Sequence, residues 1–150
     1  MFDEQGSPRM YANILLSTDG SDLARKGVKH GIAVAKALNA KVTVITVTES
    51  PMLYLPREEE LVSWEAARKE FAGKVLDEAR AMAEQTGVSA ELLHVPDEHP
   101  ATAIIETAKS RGCDVIVMAS HGRRGLRKLL LGSQTSEILA DGSVPVLVVR

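Results

Sequence analysis

Residues Asp114 to Ser133 read D-V-I-V-M-A-S-H-G-R-R-G-L-R-K-L-L-L-G-S, and the order of side-chain types along them sets the architecture. From Asp114 to Ala119 the run is short, rich in β-branched residues and apolar at both alternating positions. It predicts a strand buried on both faces, which belongs in a parallel sheet covered by helices. The strand passes into Ser120-His121-Gly122, then nine residues from Arg123 to Leu131, then Gly132-Ser133, where a last helix opens and runs to Ala140. Val144 to Val149 follows as a fifth strand. Pro145 within it calls for an edge or a strand start, because proline cannot donate to a ladder.

The same alternation extends upstream. Asn13 to Ser17 is an apolar strand ended by Thr18-Asp19-Gly20. Ser21 caps a helix whose small or apolar positions, Ala24, Gly27, Val28, Gly31, Ile32, Ala35 and Leu38, fall on one face. Gly27 and Gly31 on that stripe let the helix approach the sheet closely. Lys41 to Val47 is a second strand by its β-branched content. An irregular stretch, Thr48 to Pro56, carries Met52, Leu53 and Tyr54. A long helix is expected from Glu58 to Gln85, with Trp64, Ala67, Phe71, Val75, Ala79 and Met82 on one stripe and Gly87 as its C-cap. Glu58, Glu59 and Glu60 suit a first helical turn, where they complement the helix dipole. Glu91 to Val95 is a third strand. Pro100 opens a helix that faces Ile104, Ile105 and Ala108 inward and ends at Gly112.

The sum is β-α-β-α-β-α-β-α-β: one α/β domain over residues 11–150, after a loose tail over residues 1–10. Such alternation predicts a parallel sheet with right-handed crossovers and helices on both faces. Ligands of these sheets sit beyond the carboxyl ends of the strands, where strand order reverses.

Composition agrees with this class. The chain has 150 residues, enough for one domain and too few for two ordinary ones. Aromatics are 3% of it, so the core rests on Val, Ile, Leu and Ala. A net charge of −2 gives no global field for nucleic acid or an acidic membrane, though Arg123, Arg124, Arg127 and Lys128 form a local basic cluster. The single Cys113 allows no internal disulfide and fits a reducing cytoplasm. No apolar stretch is long enough to span a bilayer.

Gly122 and Gly132 remove side chains where a backbone could wrap around a ligand, and Ser133 presents a hydroxyl with the N–H groups of a helix start. These residues alone fit a phosphate site or simple turn chemistry equally. Asp19, taken alone, reads as a turn aspartate before glycine. His121 has no orienting carboxylate in the sequence and reads as a loop histidine. His30, His94 and His99 lack metal-ligand spacing, so no metal site and no catalytic residue is assigned.

Val115 to Arg150, together with Ile14-Leu15-Leu16-Ser17-Thr18-Asp19-Gly20-Ser21, resembles the universal stress protein family, and the likeness covers Tyr11 to Arg150. It implies a doubly wound, five-stranded sheet of order 3-2-1-4-5. The ATP-binding branch of that family carries Gly-x2-Gly-x9-Gly-Ser/Thr. Here Gly122, Gly132 and Ser133 match, while the first position is Ala119, whose methyl narrows the space at the ribose. The resemblance places Asp19 at the ribose or adenine edge, with Thr18 lining the pocket. It gives the adenine to the Val47 backbone and the sugar to the Met118 and Ala119 backbone. The phosphates fall to Gly122, Gly132, Ser133, Gln134 and Thr135. It thus implies ATP, with or without magnesium, held by a cytoplasmic regulatory or stress-response protein. Slow hydrolysis or self-phosphorylation fits the family, but the chain lacks the Gly-Lys-Ser/Thr of a Walker loop, so little or no turnover is expected. The alternative is a protein-interaction module that binds no nucleotide, for which Ala119 and the apolar Pro51 to Leu55 loop argue. The family's homodimers have a counterpart in Val144 to Val149, an apolar terminal edge strand suited to pairing with its own copy.

Overall fold

The computed structural model describes residues 2, 4–7, 10–50, 57–96, 98–122 and 131–150. Nine regular elements follow in the order β1 (Asn13–Ser17), α1 (Asp22–Leu38), β2 (Lys41–Thr48), α2 (Glu58–Thr86), β3 (Ala90–Pro96), α3 (Pro100–Ser110), β4 (Val115–Ala119), α4 (Ser133–Asp141) and β5 (Val146–Val149). The five strands are parallel and lie in the order β3-β2-β1-β4-β5, as the resemblance implied. Strand order reverses between β1 and β4, which pair with Ile14 opposite Val115 and Leu16 opposite Val117.

Two cores sandwich the sheet. Ile14, Leu16, Val44, Val115 and Val117 face α1 and α2, where Val28, Ile32, Leu76 and Ala79 meet them. Leu15, Ile45, Ile116 and Met118 face α3 and α4, where Ile104, Ala108 and Ile138 meet them. Every residue of β4 is buried, as its sequence requires. The α1 helix approaches the sheet closely at Gly31: a Cβ there would lie 2.2 Å from Leu16 Cδ2 and 3.2 Å from Val117 Cγ1. Ser21 caps α1 by accepting from the Ala24 N–H at 3.2 Å. Gly87 closes α2 in the left-handed conformation, φ 78°. The Asp114 carboxylate accepts from the Ala12 and Asn13 amides at 2.8 and 3.1 Å, which fixes the entry to β1.

Two expectations change. Trp64 and Ala67, placed on one stripe with Val75 and Ala79, are both exposed, and the buried side of α2 begins at Ala72. At 29 residues α2 is about 43 Å long, whereas the eight residues of β2 span about 26 Å, so the first turns of the helix outrun the sheet. The second concerns β5, which starts at Val146 and not at Val144. Pro145 lies at its lip, where its carbonyl accepts from the Ile116 amide at 2.9 Å.

Candidate functional site

The carboxyl ends of β1 and β4 sit side by side at the reversal. Past β1 the chain turns through a chain of short-range bonds. Thr18 Oγ1 accepts from the Gly20 amide at 3.2 Å, and Asp19 Oδ1 accepts from the Ser21 amide at 2.9 Å. These bonds launch α1, so Asp19 does act as a turn aspartate. Its other oxygen faces across the reversal: a Cβ on Gly122 would lie 2.6 Å from Asp19 Oδ2. Glycine at 122 is what lets the loop after β4 pass against this carboxylate.

The loop is pinned where it leaves and where it returns. The Ser120 amide donates to Val149 at 2.8 Å, and the Gly132 amide donates back to the Ser120 carbonyl at 2.6 Å. A Cβ on Gly132 would stand 3.2 Å from that carbonyl oxygen and 3.3 Å from His121 Cα, closer than side chains ordinarily pack against backbone. Thr135, buried in the first turn of α4, donates from Oγ1 to the Ala119 carbonyl at 3.0 Å. Ser133 and Gln134 on the same turn are exposed. Two helix starts, α1 at Ser21 and α4 at Gly132, thus present the positive ends of their dipoles at the carboxyl edge of the sheet.

Val47 contributes through backbone geometry. The Ile45 carbonyl accepts from the Thr18 amide at 3.0 Å, so it points towards β1. Strand alternation turns the N–H and C=O of Val47 to the same side, two residues beyond the last β1–β2 pair, Ser17 with Ile45. They face the space over the Thr18 to Gly20 turn. Met118 and Ala119 are both buried. Alternation along β4 puts Ala119 on the face of Val115 and Val117, towards α1, where Gly27 lies close to its backbone. The methyl that replaces the first motif glycine therefore turns into the core.

The structure thus brings Asp19 against Gly122, Gly132 against Ser120, and Thr135 against Ala119. Ser120 was not among the sequence candidates. It is buried, its Oγ lies 3.0 Å from His121 Nδ1, and its backbone closes the loop. A small hydroxyl residue between a strand end and a loop glycine was the available signal. Two further histidines make polar contacts at the same end of the sheet. His94 Nε2 lies 2.7 Å from Thr48 Oγ1, joining β3 to β2, and His99 Nε2 lies 2.6 Å from Glu137 Oε2, joining the start of α3 to α4. The bond to Glu137 raises the His99 imidazole above its usual pKa against the cost of burial, helped by the charges of Glu137 and Glu49. Burial pushes the Cys113 thiol up, so it stays protonated and serves the core. Among the described residues no cluster of three or more His, Cys, Asp or Glu could hold a metal. The basic cluster Arg123, Arg124, Arg127 and Lys128 and the Pro51 to Leu55 loop lie outside the described residues.

Known proteins share this framework along nearly the whole chain. Residues 10–150 match the family model described as the universal stress protein family. The universal stress protein MJ0531 of Methanocaldococcus jannaschii is 37% identical over 147 residues, covering 94% of this chain and 83% of the relative. The solved structure of MJ0577, from the same organism, superposes with a TM-score of 0.81 at 29% identity, covering 93% of this chain and 96% of that one. A universal stress protein solved in complex with cAMP superposes with a TM-score of 0.67 at 25% identity, covering 94% and 98%.

Proposed function

This chain belongs to the universal stress protein family, and from that premise we propose that it is a stress-response protein that binds ATP at the β1/β4 reversal. The observation that carries the proposal is the steric demand at Gly122 and Gly132. Side chains there would meet the Asp19 carboxylate and the Ser120–His121 backbone, so only glycine lets the β1 turn and the start of α4 come together at the end of β4. Backbone amides gathered at a helix start without intervening side chains are what a phosphate chain needs. On this reading the domain of residues 11–150 receives the nucleoside between Thr18, Asp19, the Val47 backbone and the ends of Met118 and Ala119. The phosphates lie along Gly122, Gly132, Ser133, Gln134 and Thr135, where a helix start supplies amides and a favourable dipole. Asp19 then accepts from the ribose and not from the phosphates, which would repel it. A magnesium ion, if it enters, travels on the phosphates. The complex in the cAMP-bound relative supports a cyclic or linear adenine nucleotide as the ligand class.

The ligand acts as a signal in this account and needs little or no turnover, in a cytoplasmic protein without nucleic-acid or membrane targets. Heating the protein with and without millimolar ATP tests it: ATP raises the midpoint by several degrees if it binds the native state tightly. An unchanged midpoint favours the alternative, an interaction module that binds no nucleotide.

We also propose a homodimer built on β5. It is the outer strand beside β4, its residues Val146, Leu147 and Val148 are only partly buried, and an open apolar edge invites a second copy. Val148→Pro removes a ladder donor and yields monomer or insoluble protein in sedimentation analysis. An intact dimer places the interface elsewhere.

A further inference from the structure

The contact between His99 and Glu137 lies beside the proposed phosphate turn, and nothing in the nucleotide reading uses it. Glu137 sits in α4 four residues after Ser133, so the two share one helix face about 6 Å apart along the axis. A carboxylate at that distance from a polyphosphate repels it, since the separation is within a Debye length of about 8 Å at physiological salt. His99 precedes Pro100 at the start of α3, and its Nε2 lies 2.6 Å from Glu137 Oε2. Both side chains are about half exposed, 55% and 44%, so protons and salt reach them.

We propose that the His99–Glu137 pair couples proton uptake to polyphosphate binding at the first turn of α4. The coupling presupposes a nucleotide on that turn, as proposed above. When His99 is protonated it cancels the Glu137 charge and leaves the turn open to an anion. When His99 loses its proton, Glu137 stands uncompensated one turn below the phosphates. The other acidic groups near the imidazole act in the same sense: Glu49, just past β2, favours the protonated ring and Glu98 adjoins it in the chain. Polyphosphate affinity therefore falls as pH rises through the His99 titration. The contact with Glu137 moves that titration upward from the ordinary histidine value. Adenosine, which carries no phosphate, is indifferent to the pair.

Calorimetric titration at pH 6.0 and pH 8.0 in about 0.05 M salt tests the coupling, with ATP and adenosine as probes and with wild type, His99→Gln and Glu137→Gln as proteins. The protonation of ATP itself is common to the three and cancels between them. In wild type the ATP affinity drops across the interval by roughly two- to fivefold more than in His99→Gln, which has no imidazole to titrate, the scale of a half-exposed ion pair. Glu137→Gln binds ATP more tightly than wild type at pH 8.0, and adenosine shows no difference among the three. The histidine resonance of His99, followed by NMR in the ligand-free protein, moves to a lower titration midpoint in Glu137→Gln. Identical pH profiles for ATP in all three proteins overturn the coupling and leave the nucleotide site standing. No ATP binding by wild type at either pH removes the nucleotide site, and the coupling with it.

Discussion

Gly31 in α1 and Gly132 at the start of α4 obey the same steric rule with different consequences. Each sits where a Cβ meets close neighbours, but the neighbours differ. Gly31 faces the Leu16 and Val117 side chains in the middle of a core, whereas Gly132 faces the Ser120 and His121 backbone at the open end of the sheet. Leu16 is fully buried. The first glycine thus serves the fold, by letting a helix lie close on the strands. The second lets the chain return to the end of β4, where the Gly132 amide donates to the Ser120 carbonyl at 2.6 Å. A close-approach glycine is a signal whose meaning depends on what it approaches.

Substitutions sharpen that contrast. The largest effect on stability is expected for Gly31→Val, which overpacks the α1 face and lowers stability by about 1–3 kcal/mol, read as a lower denaturation midpoint. ATP affinity of the remaining folded protein stays near wild type. Gly132→Val reverses the pattern. The valine forces the Ser120–Gly132 closure apart, so calorimetry finds ATP binding lost while the circular dichroism spectrum and melting cooperativity persist. Equal affinity in a folded Gly132→Val protein would mean that the loop is no part of the site.

Asp19→Ala comes next. Removing a charged acceptor from the nucleoside end weakens ATP and adenosine alike, by roughly tenfold or more. A loss confined to the triphosphate would place Asp19 near the phosphates or a metal and reverse the assigned orientation. The smallest effect belongs to Ala119→Gly. Its methyl points into the α1 face, so glycine leaves ATP affinity within about twofold. A marked gain in affinity would mean the methyl does crowd the sugar.

The sequence was most informative where a single periodicity decides the outcome. The β4 run, apolar at every alternating position, could only be a doubly covered strand, and the α1 stripe marked both its inward face and the close approach at Gly31. A Cβ on Gly27, by contrast, would make only ordinary contacts, 3.4 Å from the nearest atom. Periodicity identifies a face but not what lies beneath it. That is why the stripe ran on through Trp64 and Ala67, although α2 runs past the end of the sheet there and Trp64 is 47% exposed. Pro145 carried the information that β5 begins after it, yet the apolar Val144 before it masked the boundary.

The site divides in the same way. Glycine spacing and the family likeness marked Gly122, Gly132 and Ser133. The meeting of Gly122 with Asp19 depends on β1 and β4 being neighbours, which no local pattern contains. The His99–Glu137 contact depends on the packing of α3 against α4, and its two residues are 38 positions apart. Ser120 could have been singled out from its place between a strand end and a loop glycine, because a buried hydroxyl there must find a partner.

The most direct test of a nucleotide at the β1/β4 reversal is amide chemical-shift mapping of the protein as ATP is added. The account predicts the largest shifts at Thr18 to Gly20, Val47, Ser120 to Gly122 and Gly132 to Thr135, with Lys41, Ala90 and Val115 at the opposite end of the sheet unmoved. Shifts centred on that opposite end, or none at saturating ATP, would contradict it.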